Sequence, residues 1–292
     1  MLRIALPNKG RLAEETRELF TDAGLDVRAR GERALTASLG GEFEAIFVRA
    51  QDIPEFVADG AADVGITGWD LISESGRSLV PLADLGFGRC RLAVAATDES
   101  GITSLASIPS GARVATGFPR LTRQFFSQAG IEIELVPVSG AAEIAPHLGI
   151  ADLIVDLVST GSTLRVNGLH EVATVVESTA RLVVAERLAD RPGVDPGARS
   201  RAVRQLVEAL ECVIRARRQR YLMANVPRDR LEEVRGVLPG LNGPTVIDIL
   251  DGGRFVAVHA VVPADGIYRT VARLRAVGAE GVLVTRIERL LP

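Results

Sequence analysis

The residues with the most evident chemistry lie together in the run Asp152-Leu153-Ile154-Val155-Asp156-Leu157-Val158-Ser159-Thr160-Gly161-Ser162-Thr163-Leu164. Leu153 to Leu157 read as a buried strand that delivers Asp156 near its end. A loop of hydroxyls and one glycine follows, then a short helical segment that Gly168 stops. Successive backbone N–H groups in such a loop, with the first unpaired donors of the helix, make a nest for a phosphate. Gly161 lets the backbone come close. Ser159, Thr160, Ser162 and Thr163 add hydroxyl donors, and the Asp156 carboxylate can accept from ribose hydroxyls. An acid followed by a phosphate nest describes a ribose 5-phosphate site. The same residues also suit an ordinary turn with a helix cap, Asp156 being the capping acid.

The elements that must position these groups alternate along the chain. Leu2 to Leu6 read as a strand, and Leu12, Thr16, Leu19, Phe20 and Ala23 recur at helical spacing until Gly24. Asp52-Ile53-Pro54 reads as a helix start with Asp52 as cap, and Asp63 to Thr67 return as a strand. This alternation predicts a largely parallel sheet. Lys9 and Arg11 then sit in the first strand-to-helix loop, Arg49 at a strand end, and Asp70 where it either caps a helix or points into a cleft.

A second α/β lobe is expected from strand Leu92 to Ala96, strand Val114 to Thr116, helix Leu121 to Ala129, strand Glu132 to Val138, helix Ala141 to Leu148 and strand Leu153 to Leu157. Val172 to Ala185 give two more strands that can carry the chain back to the first lobe. Residues 190–197 are turn chemistry before an amphipathic helix from Ala198 to Arg217. From Tyr221 onward the order strand, helix, strand, strand, helix, strand is the ferredoxin-like pattern. The expected organisation is α/β in three parts. Residues 1–95 with a return segment 178–217 make lobe I, 96–177 make lobe II with the phosphate loop, and 218–292 make a C-terminal ferredoxin-like domain.

A chain of 292 residues exceeds one average domain, which agrees with several units. Its net charge of −3 leaves no electrostatic footprint for a nucleic acid. Cys90 and Cys212, far apart, form neither a disulfide framework nor a zinc spacing and fit a reducing cytoplasm. No run approaches the roughly 20 apolar residues of a membrane span. The N-terminus carries no stretch like a secretion signal. His147, His170 and His259 do not cluster at metal spacing, and Trp69 reads as packing.

The loop resembles the phosphoribosyl pyrophosphate (PRPP) loop of phosphoribosyltransferases, and more closely its form in ATP phosphoribosyltransferase, the first enzyme of histidine biosynthesis. A common variant of the wider motif has two adjacent acids, whereas here Leu157 takes the second place. Further blocks resemble the same family in the same order. They are Pro7-Asn8-Lys9-Gly10-Arg11-Leu12, Val48-Arg49-Ala50-Gln51-Asp52-Ile53-Pro54, Asp63-Val64-Gly65-Ile66-Thr67-Gly68-Trp69-Asp70, Gly88-Arg89-Cys90-Arg91-Leu92, Ala115-Thr116-Gly117-Phe118-Pro119 and Ser139-Gly140-Ala141-Ala142-Glu143. With Leu238-Pro239-Gly240 and Pro244-Thr245 in familiar positions, the similarity covers nearly the whole chain and points to the long form.

The resemblance implies lobes like those of type II periplasmic binding proteins and an ACT-like C-terminal module that senses histidine. It implies attack of adenine N1 of ATP on C1 of the PRPP ribose, with pyrophosphate leaving and Mg²⁺ carried on the substrate phosphates. Lys9, Arg11, Arg49 and Asp70 are the implied catalytic residues. Glu143, Asp156, Ser159, Thr160, Gly161, Ser162 and Thr163 are the implied PRPP site. Asn225, Thr245 and Ala279 are the implied effector contacts, and a homo-oligomer of dimers assembling into hexamers is implied as well. The rival is a non-catalytic two-lobed small-molecule-binding protein, which predicts an export signal and no phosphate nest.

Overall fold

Leu2 to Pro7 form the strand around which the first sheet is built, and all of it but Arg3 is buried. An unbroken apolar run suits a strand covered on both faces. The computed structural model describes residues 1–29, 31, 34–189, 197–238, 240, 243–249 and 253–291. Two compact units emerge, one of Met1–Thr21 with Leu25–Val207, the other of Asp22–Gly24 with Glu208–Pro292.

In the first unit, lobe I runs β1 (Leu2–Pro7), α1 (Arg11–Asp22), β2 (Val27–Ala29), β3 (Thr36–Leu39), β4 (Phe43–Val48), α2 (Ile53–Ala58), β5 (Val64–Gly68), α3 (Trp69–Ser75) and β6 (Leu79–Asp84). Lobe II runs β7 (Cys90–Thr97), β8 (Ala112–Thr116), α4 (Pro119–Gln128), β9 (Ile133–Pro137), β10 (Leu153–Val158), α5 (Ser162–Val166) and β11 (Leu169–Ser178). Strand β12 (Ala180–Ala185) then returns to the first sheet, whose order is β2-β3-β4-β1-β5-β12-β6. The second sheet has the order β11-β7-β10-β8-β9.

Several expectations change. The sheets are mixed rather than largely parallel. Strand β1 is parallel to β4 and β5, and β8 to β9 and β10, but β12 runs antiparallel between β5 and β6, and β7 antiparallel between β10 and β11. The chain crosses between the sheets twice without a helix, at residues 85–89 and at Thr179, and the strands it delivers, β7 and β12, run antiparallel to their neighbours. The cut at residue 95 falls inside β7, which lies wholly in the second sheet.

The helix expected from Ala141 to Leu148 is only a 3₁₀ turn, Ala142–Ile144. Ala141 stands at φ 50, and Pro146 has no N–H to offer the Ala142 carbonyl, so an α-helix cannot propagate there. Asp52 precedes α2 but makes no side-chain cap, because it ends a 3₁₀ turn with helical backbone angles.

Helix α6 (Ala198–Arg217) is followed by β13 (Gln219–Pro227), α7 (Leu231–Val237), β14 (Thr245–Asp248), β15 (Phe255–Pro263), α8 (Ile267–Ala276) and β16 (Glu280–Arg286). The sheet order β14-β15-β13-β16, antiparallel throughout, is that of a ferredoxin-like module. Its core joins Leu222, Val226, Val234, Val258 and Leu274. The second unit starts at Glu208, earlier than the expected 218, because the last turns of α6 make their contacts in it, as in the Leu290 N–H bond to the Cys212 carbonyl at 3.1 Å. Residues 190–196 of the expected turn, Pro239 and Leu250 lie outside the described residues.

Candidate active site

Strand β10 carries Asp156 to the C-terminal edge of the second sheet, half-buried, and the chain then turns through Ser159 and Thr160 to Gly161. Gly161 adopts φ 74, a left-handed angle that L side chains resist, and it is the residue from which α5 starts. The Thr160 and Ser162 hydroxyls share a hydrogen bond of 2.9 Å. Glu143, from the 3₁₀ turn, completes a pocket of about 270 Å³ whose other walls are Asp156 and residues 157–164. All seven residues expected to hold PRPP are thus together in one cavity.

Burial pushes the Asp156 carboxyl above its ordinary range. The N–H of Leu157, at 2.7 Å from Oδ1, pulls it back, and the Glu143 charge adds to the rise. Two carboxylates at the mouth of one pocket favour a ligand that brings hydroxyl donors or a cation.

The back of the loop is braced by residues that local sequence did not reveal. Arg91 pairs with Glu171 through a fork, its Nε donating at 2.7 Å, and its Nη1 reaches the Ser159 carbonyl at 3.4 Å. Arg165 reaches the Thr160 carbonyl at 3.4 Å. Arg91 stood in one of the matching blocks, but nothing near it in sequence announced Glu171.

Lobe I presents cations from neighbouring parallel strands. Pro7 of β1 is in register with Val48 of β4, and the Asn8 N–H donates to the Val48 carbonyl at 2.8 Å. Lys9 and Arg49 therefore leave adjacent strand ends, both exposed. Arg11 pairs with Glu15 one turn along α1 at 3.2 Å.

A second pocket of about 450 Å³ has walls from both lobes of the first unit. Gln51, Glu55 and Glu74 come from one, Gly117, Phe118 and Ser139 from the other, and Asp156 borders both pockets.

Asp70 does not join either cavity. It is buried, and its carboxylate accepts from the Ser178 hydroxyl, which itself accepts from the Asp70 N–H at 3.1 Å. A Cβ on Gly68 would collide with that carboxylate, so a larger residue there would displace Asp70 from Ser178. Burial raises the Asp70 pKa above 3.8 against the Ser178 bond. Nearby Cys90 is also pushed up, first by burial and then by the Asp70 charge.

The three histidines are dispersed. His147 meets the Asn167 carbonyl, His170 meets Asp98, and His259 meets the Tyr221 hydroxyl. Among the described residues no group of three His, Cys, Asp or Glu could hold a metal. Trp69 lies under the Arg181 guanidinium, 5.8 Å from its ring centre. In the C-terminal module Asn225 pairs with Glu280 beside buried Ala279, whereas Thr245 lies on β14 at the opposite edge, so these three do not meet within one module.

A two-lobed α/β unit with a hydroxyl-rich loop beside a half-buried carboxylate at strand ends has the build of a small-molecule-binding α/β protein. The family profile described as ATP phosphoribosyltransferase (HisG) matches residues 49–211, and that of the HisG C-terminal domain matches residues 216–289. The chain is similar to an ATP phosphoribosyltransferase of Gemmatimonas aurantiaca, 68% identical with 100% of both chains covered. It is 47% identical to one of Haloarcula marismortui, over 99% of this chain and 100% of that one. A solved HisG:HisZ complex from Thermotoga maritima matches with TM-score 0.62 and 28% identity, covering 74% of this chain and 99% of that chain. The chain belongs to the ATP phosphoribosyltransferase family, in its long form.

Proposed function

We propose that this chain joins the 5-phosphoribosyl group of PRPP to N1 of ATP, giving N1-(5-phosphoribosyl)-ATP and pyrophosphate, the first step of histidine biosynthesis. The observation that carries the reading is the convergence of Asp156, Glu143 and the loop 159–163 on one cavity. The loop amides and hydroxyls hold the 5-phosphate while Asp156 accepts from the ribose hydroxyls. Adenine N1 already has a lone pair, so no activated nucleophile is needed. As the N1–C1 bond forms, the bond from C1 to the pyrophosphate oxygen breaks, and the leaving group departs with the electron pair. Lys9, Arg11 and Arg49 stabilise the polyphosphates and the charge that develops. Asp156 and Glu143, the two carboxylates of the pocket, would face a Mg²⁺ carried on the substrate phosphates, which would supply neutralisation of part of their charge. Family membership favours this enzyme over a non-catalytic small-molecule-binding protein.

The finer site assignments belong to the same proposal. Asp70 acts by holding the lobes rather than by touching substrate. The C-terminal module is regulatory, with Asn225, Thr245 and Ala279 as candidate effector contacts for histidine, and the enzyme is a homo-oligomer of dimers assembling into hexamers. Two free thiols, Cys90 and Cys212, suit the cytoplasm. No described helix is long and apolar enough to cross a membrane.

The direct test mixes the protein with ATP, PRPP and Mg²⁺ and looks for the adduct with released pyrophosphate. An absence of both under saturating substrates refutes the reading. Free histidine should inhibit the reaction and raise the melting temperature; no effect on either refutes the regulatory part.

A further inference from the structure

Helix α3 follows β5 of lobe I, yet three of its side chains are committed to lobe II. Asp70 is bonded to Ser178, the last residue of β11. Leu71 packs against the core that joins Leu92, Phe118 and Phe126. Glu74, one turn after Asp70 and on the same face, accepts the N–H groups of Arg120 and Leu121, both at 2.9 Å.

Those two amides belong to the first turn of α4, where helical N–H groups have no partner within the helix. Phe118, at the cap position, offers no side-chain bond. The cap of α4 therefore comes from the other lobe, as a two-oxygen carboxylate on the positive end of the helix. Opening the cleft would strip α4 of that cap and expose Leu71. Glu74 also lines the larger pocket beside Gly117 and Phe118, so the contact forms part of its wall.

We infer that Glu74 is a positioning residue, which clasps α3 to α4 and holds the lobe I cations at a fixed separation from the phosphate loop of lobe II. The transfer site is then assembled before substrates arrive, unlike a clamshell that closes on its ligand. This rests on the phosphoribosyl-transfer reading only for its effect on catalysis. The clasp itself is a property of the two lobes.

The test compares Glu74→Ala and Glu74→Gln with the unaltered enzyme as its full chain. Three quantities are measured: amide hydrogen exchange at Arg120 and Leu121, PRPP affinity by calorimetry, and kcat from pyrophosphate release. Glu74→Ala should speed exchange at the two amides, leave PRPP affinity within about twofold, and lower kcat roughly ten- to a hundredfold through misplacement of the acceptor. Glu74→Gln, with one carbonyl oxygen, should recover part of kcat. Unchanged exchange overturns the clasp. Unchanged kcat, or equal losses of kcat and PRPP affinity, overturns its positioning role. If the enzyme reading were wrong, even the unaltered protein would release no pyrophosphate, while the exchange result would still decide the clasp.

Discussion

The Arg91 guanidinium is held in a fork by Glu171 and reaches the Ser159 carbonyl at 3.4 Å. The Ser159 carbonyl, whose partial charge would repel a phosphate, is thereby engaged by a cation of lobe II itself. An arginine already paired to a carboxylate is poorly placed to swing onto substrate, so its effect on PRPP passes through the loop. Arg91→Lys keeps the charge and loses the fork. It should raise the PRPP KM about three- to tenfold and leave the ATP KM unchanged, as Glu171→Gln should. Initial-rate kinetics in both substrates check this, and an equal rise in both KM values contradicts it.

Replacing Gly161 by alanine adds a Cβ at a left-handed angle, with Arg165 Nη1 only 3.2 Å away. The strain is about 1–2 kcal/mol and falls on the loop alone. Calorimetric titration should show weaker PRPP binding with a nearly unchanged fold. Thr160→Val and Thr163→Val should each raise the PRPP requirement about tenfold, since each removes a donor from a charged ligand. Unaltered kinetics would remove that loop from the mechanism.

Asp70 has a consequence for pH dependence. Its folded pKa is raised above 3.8, chiefly by burial, so the folded state holds the proton more tightly than the unfolded chain. The associated stability is fully present below pH 3.8 and is lost as pH rises from there through the raised value. Asp70→Asn keeps a carbonyl acceptor for Ser178 and removes the charge. Thermal melts between pH 4 and 7 should show the variant gaining on the unaltered protein as pH rises, and a constant difference would refute this.

Lys9 and Arg49 stand exposed at adjacent strand ends. Alanine at both should cut kcat/KM for ATP by roughly a hundredfold, if each phosphate contact is worth one charge-assisted bond. The variant should also lose much of its salt sensitivity, because screening acts on exposed charges. Rates measured across ionic strength test this, with an unchanged salt slope as the contrary result.

Much of the fold was legible because its signals are local. The apolar run of β1, the helical spacing in α1 and the strand–helix order of the C-terminal module are statements about neighbours in sequence. The helix expected at Ala141 to Leu148 misled because Pro146 outweighs the apolar spacing around it. The antiparallel place of β12 could not be read at all, since it depends on how the chain crosses between sheets.

The sequence by itself determined the phosphate-loop candidate. Asp156 and residues 159–163 are consecutive, and a loop's amides and hydroxyls converge through backbone geometry alone. Only the tertiary structure decided what Asp70, Glu74 and Arg91 do. Their partners lie 108, 46 and 80 residues away at Ser178, Arg120 and Glu171. A charged side chain takes its role from what it is buried against, and packing between distant strands and helices leaves no periodic mark on the chain.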